Sequence, residues 1–271
     1  MTHHDTTRKT TDFNGCLVER AGGVATIILN GPEKMNALSP ELFAGFEKAF
    51  SSVEEDETIR AIIFTGAGDH FSAGGDVAKD IDPLRTMSVR EFKSYLEPLS
   101  NLYYRIYRVE KPTIAAINGF ALGAGMELTL MCDIRIASED AKMGEFFVKM
   151  GLVPETGMCM LPRIVGPGRA KLLCYTGDIV TAEDALKMGL VEMTIPRNEL
   201  ISAAEKLAQR LARGPASIGI MKRAINEFAE MPLEATLNQA TAYQFQATRT
   251  KDHEEAVISY MEKRKPSFTG D

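Results

Sequence analysis

Gly119-Phe120-Ala121-Leu122-Gly123-Ala124-Gly125-Met126-Glu127 is the stretch on which the fold turns. It follows the apolar run Thr113-Ile114-Ala115-Ala116-Ile117. An earlier stretch, Phe71-Ser72-Ala73-Gly74-Gly75-Asp76, follows a run of the same kind, Ala61-Ile62-Ile63-Phe64-Thr65. Each reads as a strand, a glycine-rich turn and a helix start. A helix start exposes unpaired backbone N–H groups and the positive end of its dipole. Two such starts aimed at one point would hold a developing oxyanion. Glu127 falls just inside the second helix, where a carboxylate serves as acid or base.

Working outward, Val24-Ala25-Thr26-Ile27-Ile28-Leu29 reads as a strand that Asn30-Gly31-Pro32 breaks. Ser39 and Pro40 form a helix start, N-cap and first position, and Leu42, Phe43, Phe46, Ala49 and Phe50 then recur at helical spacing. After the Gly75 turn come a short helix and a charged stretch to about residue 90. A helix is predicted over most of 90–108, ending before Lys111-Pro112. A strand follows the Glu127 helix at 134–137. Thr181-Ala182-Glu183-Asp184 has the form of a capping box, with Asp184 in the usual place of Glu or Gln, and Gly189 closes its helix. From about residue 197 the pattern is almost purely helical. Alternating strands and helices followed by a run of helices give an α/β core with a helical tail.

Composition narrows the function. The 271 residues are 45% hydrophobic and 25% charged, an ordinary globular balance. A net charge of −6 argues against nucleic acid, and Lys263-Arg264-Lys265 is the sole dense basic cluster. No apolar run approaches membrane-spanning length. Cys16, Cys132, Cys159 and Cys174 form no C-x-x-C pair and read as free thiols in a reducing compartment. The polar N-terminus has no apolar leader segment and reads as a flexible tail over 1–12. A cytoplasmic or organelle-matrix enzyme is the expectation, with cytoplasmic preferred.

Several kinds of site are excluded. The four histidines are His3, His4, His70 and His253, two of them in the tail, so a Ser/His/Asp triad has few candidates. There is no G-x-S-x-G elbow, no metal-ligand spacing and no Walker A motif. Gly66-Ala67-Gly68 follows a strand, but Phe71 stands where a dinucleotide fingerprint needs its third glycine. Backbone donors and carboxylates remain. They suit enolate stabilisation and proton transfer beside a carbonyl.

The chain resembles the crotonase (enoyl-CoA hydratase/isomerase) superfamily over nearly its whole length. The matching stretches are Leu29 to Leu38, Phe71 to Asp76, Ala116 to Gly119 and on through Cys132-Asp133-Ile134-Arg135-Ile136-Ala137, then Leu152-Val153-Pro154, Leu161-Pro162-Arg163, Thr176-Gly177-Asp178, Ala185 to Val191 and Glu262 to Pro266. Each is weak alone; their order and spacing carry the resemblance. It implies a spiral of ββα units over 13–210 and a C-terminal helical region, 211–271, that builds trimers and hexamers. It implies an acyl-CoA substrate, coenzyme A entering as part of that substrate, with no separate cofactor and no metal. The thioester oxygen would be held by the N–H groups of Gly75 and Ala124. Met35, Ala37, Leu38, Ala73, Asp76 and Val77 would line the CoA channel. Tyr260 and Lys263 match positions that touch CoA, often from a neighbouring subunit.

Glu127 matches the first catalytic glutamate of the hydratases. Their second glutamate falls by register on Phe147, so it is missing, and Phe147 becomes a substrate-lining position. Glu145, two residues earlier, shares a face with it in an extended segment. Glu155 stands where hydratases usually carry glycine and where some family isomerases place their base. The expected acid/base pair is therefore Glu127 and Glu155, with Asp76 read as a helix cap. Met143, Met150, Met158, Met160, Phe146 and Phe147 read mainly as core. Hydration and double-bond isomerisation of an enoyl-CoA both fit. The alternatives are a thioester or C–C bond hydrolase on the same fold, and a CoA-binding homologue whose site has decayed.

Overall fold

The computed structural model describes residues 8–271. Ten strands occur in it: β1 (Lys9–Asp12), β2 (Cys16–Ala21), β3 (Val24–Leu29), β4 (Ala61–Gly66), β5 (Thr113–Ile117), β6 (Phe120–Leu122), β7 (Ile134–Ser138), β8 (Lys142–Gly144), β9 (Val180–Thr181) and β10 (Met193–Ile195). The helices are α1 (Pro40–Glu54), α2 (Val89–Arg108), α3 (Ala124–Leu130), α4 (Gly157–Val165), α5 (Pro167–Thr176), α6 (Ala182–Met188), α7 (Leu200–Ala212), α8 (Ser217–Phe228), α9 (Leu233–Ala247) and α10 (Lys251–Met261). Seven strands form one sheet in the order β1-β2-β3-β4-β5-β7-β10, and β6-β8-β9 form a second. From β3 to β10 the large sheet is parallel; β1 and β2 pair antiparallel at its edge.

Every residue of β4 and β5 is buried, because a parallel sheet carries helices on both faces. The period-2 alternation divides their side chains. Ala61, Ile63, Ile114 and Ala116 meet Leu200, Ala204 and Ala208 of α7. Ile62, Phe64, Ala115 and Ile117 join Phe46, Phe50, Leu102 and Tyr103 on the other face. Phe64 packs against Phe46 and Phe50 with ring centroids 6.0 and 6.2 Å apart.

The local signals hold where they are chemical. Ser39 Oγ accepts from Leu42 N with Pro40 behind it, Asp76 caps the helical turn Val77–Ile81, and Thr181 Oγ1 accepts from Asp184 N. Gly189 closes α6 in the left-handed region at φ 78°.

Other expectations are corrected. The tail predicted over 1–12 is a strand from Lys9: its polar residues pair with β2 and stay largely exposed, leaving no apolar signal to read. Residues 1–7 lie outside the described residues. The short helix expected after the Gly75 turn is present as Val77–Ile81, but the charged stretch that follows it also begins with a helical turn, Asp82–Thr86. The boundary expected between 210 and 211 falls inside α7, which covers the main sheet. Met143 is core, but Phe146, Met150 and Met158 are exposed.

Candidate active site

Strands β4 and β5 run parallel, so their C-terminal ends deliver the two glycine turns to the same edge of the sheet. The turns are then stitched together. Ser72 N donates to Phe120 O at 2.9 Å, and Leu122 N donates to Ser72 O at 3.0 Å. A third segment joins them: Leu38 N donates to Gly74 O at 2.7 Å and Asp76 N to Leu38 O at 3.3 Å. The approach is close. A Cβ at Gly74 would stand 2.7 Å from Leu122 O and 3.4 Å from Ala124 N, so only glycine fits there.

This stitching leaves two donors over. Leu38 bonds around Gly75 without using its N–H, and Ala124 is the first residue of α3, where no intrahelical acceptor exists. Among the hydrogen bonds of the described residues, neither N–H has a partner. Both residues line one cavity of about 290 Å³, together with Leu38, Asp80, Phe147 and Glu155. Its remaining wall is apolar and aromatic, with Phe43, Leu84, Phe92, Tyr95, Leu96 and Leu99 from α1, α2 and the turn before α2. Tyr103, fully buried on α2, donates its hydroxyl to Ala124 O at 2.6 Å and so fixes the second turn. Sequence reading missed Tyr103 as a positioning residue; its signal was its place beside Leu102 and Ile106 on the buried stripe of α2.

The carboxylates divide into two layers. Glu155, half-buried, lines the cavity, and burial followed by the charge of Asp80 raises its pKa. Glu127 lies beneath, fully buried. Its Oε1 accepts from Glu155 N at 2.6 Å and from Gly157 N at 2.9 Å, while Oε2 has no partner. Burial pushes the Glu127 carboxyl up to about 8. Glu145 is also fully buried, with neither oxygen partnered, and burial and then the Glu127 charge push it up to about 9. It fits only because residue 157 is glycine: a Cβ there would stand 2.5 Å from Glu145 Oε1.

Asp80 was not singled out from the sequence, where it sat inside the charged stretch. Burial and then the Asp76 charge push it up to about 6. Asp76 itself accepts from Ala78 N at 3.0 Å and Lys79 N at 3.1 Å and pairs with Lys34 at 2.7 Å, and these contacts hold it below the ordinary carboxylate range. It is a cap, with its charge occupied.

Of the residues expected along a CoA channel, Ala37 and Asp76 share a second, adjoining hollow with Lys34 and Lys79. Leu38 bridges to the first cavity, and Met35 O accepts from Ala73 N at 2.9 Å. Val77 is exposed beside them. Tyr260 is 86% exposed at the end of α10 and Lys263 is exposed just beyond; neither lines a cavity with the glycine turns in this chain.

Two unpartnered backbone donors and two carboxyls facing one largely apolar cavity match what the resemblance to crotonase-fold acyl-CoA enzymes led one to expect. Comparison with known proteins supports that class directly. A family model for enoyl-CoA hydratase/isomerase matches residues 19–271, so the chain belongs to that family and is an enzyme of that type. It is 36% identical over 260 residues to the crotonyl-CoA hydratase of Syntrophomonas wolfei, covering 94% of this chain and 98% of that one. It is 37% identical over 256 residues to the 1,2-epoxyphenylacetyl-CoA isomerase of Escherichia coli, covering 92% and 95%. The crystal structure of an enoyl-CoA hydratase from Bacillus anthracis superposes with a TM-score of 0.88 at 32% identity, covering 95% of this chain and all of that one. No helix among the described residues is long and apolar enough to cross a membrane.

Proposed function

We propose that the chain isomerises the double bond of an enoyl-CoA thioester. The observation that carries this reading is the placement of Glu155 in the same cavity as the two unpartnered donors, Gly75 N–H and Ala124 N–H, with Phe147 beside them. The thioester oxygen sits on the two donors. Glu155 takes the proton from the carbon next to the carbonyl, and the electrons of that C–H bond pass to the oxygen. A proton added at the far end of the conjugated system completes the shift. The raised pKa of Glu155 matches it to a weak carbon acid near neutral pH. Glu127 acts from below: it grips the backbone N–H of the base and, kept protonated by burial, stores a proton in the same cluster.

Met35, Ala37, Leu38, Ala73, Asp76 and Val77 flank the path of coenzyme A, and Tyr260 and Lys263 reach it from a neighbouring subunit of a homotrimer or homohexamer. The exposed apolar side chains of α9 and α10, Leu233, Leu237, Phe245, Tyr260 and Met261 among them, support such an assembly. The free cysteines suit a reducing compartment such as the cytoplasm.

Hydration is the second reading, favoured by the name of the crotonyl-CoA hydratase relative. Product analysis with 3-hexenoyl-CoA and crotonyl-CoA separates the two. Glu155→Gln should lower isomerisation by about 10²–10⁴-fold with little change in KM. A silent Glu155→Gln beside a severe Glu145→Gln would replace this reading with hydration through Glu127 and Glu145.

A further inference from the structure

We propose that Asp80 is a second catalytic acid–base residue, delivering a proton to the substrate that Glu155 has deprotonated. The inference rests on the isomerase reading above and extends it to a residue of a different wall.

The local fold puts Asp80 there by an unusual route. Asp80 N donates to Asp76 O at 2.7 Å, and Ile81 N reaches the same carbonyl at 3.2 Å, so the turn Val77–Ile81 is wound wide, as a π-turn. Such turns are rare and cluster at functional sites, because the extra residue re-aims the side chains that follow it. Asp80 and Ile81 both line the cavity as a result. The Asp80 carboxyl occupies the space that a side chain at residue 75 would need. Any residue larger than glycine at 75 would push it away from one of the two free donors.

That position has a chemical consequence. An ionised carboxylate beside Gly75 N–H would oppose the negative oxygen that the N–H holds. A protonated carboxyl would not, and it carries a proton to give. Burial favours that form, and so does the charge of Asp76, four residues earlier in the same turn. Glu155 approaches from the loop before α4, near enough to Asp80 that the charge of one opposes ionisation of the other, so the pair holds one proton between two carboxyls facing the same cavity. Among the described residues, no arginine or lysine lines the cavity with them. Glu127 and Glu145 do not line it, so Asp80 is the second carboxyl that faces the substrate.

The step balances without a further reactant. Glu155 carboxylate accepts the proton as the C–H bond breaks, and the electrons move through the enolate to the far carbon. That carbon forms its new C–H bond with the Asp80 proton. Exchange with water then resets both carboxyls.

The test uses the full-length enzyme and 3-hexenoyl-CoA in deuterium oxide. With separate acid and base, the first turnovers place solvent deuterium at the far carbon, read by mass spectrometry. Asp80→Asn lowers kcat by about 10²–10⁴-fold and leaves KM within about threefold. Transfer of the substrate's own proton to the far carbon overturns the proposal, as does an Asp80→Asn enzyme whose kcat stays within about threefold of the parent. The isotope measurement needs no variant, so it stands even where Asp80→Asn fails to fold. A silent Asp80→Asn beside a crippled Glu155→Gln removes Asp80 alone; silence of both, or a parent enzyme that leaves the substrate unchanged, removes the isomerase reading with it.

Discussion

Glu145 should make this protein less stable as pH rises, and Glu145→Gln should remove that dependence. The carboxyl is fully buried and neither oxygen has a hydrogen-bond partner. Burial, then the charge of Glu127, raise it from 4.5 to about 9. Between those values the folded chain keeps a proton that the unfolded chain has released, so stability falls as pH climbs. Each pKa unit is worth about 1.4 kcal/mol, which caps the whole interval at about 6 kcal/mol and assigns about 2–3 kcal/mol to the stretch from pH 5 to pH 7. Glutamine has almost the shape of the protonated acid and nothing to titrate. Its own buried amide carries a cost that does not vary with pH. Urea unfolding of both proteins at pH 5, 6 and 7 should therefore show the variant gaining on the parent by about 2–3 kcal/mol across the range. Parallel stability curves would refute the reasoning, because they would mean that Glu145 is as easily ionised folded as unfolded.

Ala124→Pro deletes one of the two unpartnered donors, at the first position of α3 where proline is tolerated, so if that donor holds the thioester oxygen as proposed, kcat should fall by about 10²–10³-fold while the melting temperature holds. An unchanged kcat with a folded protein would exclude Ala124 N–H from the site. Gly157→Ala drives a methyl group to within 2.5 Å of Glu145 Oε1 and should destabilise by about 1–3 kcal/mol; adding Glu145→Ala should recover part of that loss in a thermal melt, and no recovery would mean the clash lies elsewhere. Light scattering at micromolar concentration should give three or six times the chain mass of 29.8 kDa, and a monomer would contradict the assembly proposed for α9 and α10.

What could be read from the sequence was what is local. The runs at 24–29, 61–65 and 113–117 are β-branched or apolar throughout because both faces of a parallel sheet are covered, and the structure has strands at all three. Ser39, Asp76 and Thr181 announced their caps because a cap is a contact between neighbours in sequence. Glu155 and the glycine turns were legible as a pattern, and the fold brings Gly75, Ala124 and Glu155 to one cavity. Asp80 was not legible. Its direction depends on one extra residue in a turn, and an acidic residue in a charged stretch looks the same whether it faces water or a cavity. Strand β1 escaped for a related reason: Lys9-Thr10-Thr11-Asp12 owes its form to backbone bonds with β2, and backbone bonds leave no trace in side-chain pattern.

The stitching of Leu38, Ser72–Asp76 and Phe120–Leu122 has a consequence for how the enzyme comes into being. These segments are far apart along the chain, and each contributes something the others lack. Contacts of long sequence separation form only after the intervening loops have closed, which makes them slow and mutually dependent. The pair of free donors should therefore come together late on the folding route. A partly folded chain has no weaker version of it, because half of the stitching presents one donor with nothing to oppose it. Catalytic competence should return on refolding as a single step, in the same phase that completes the parallel sheet.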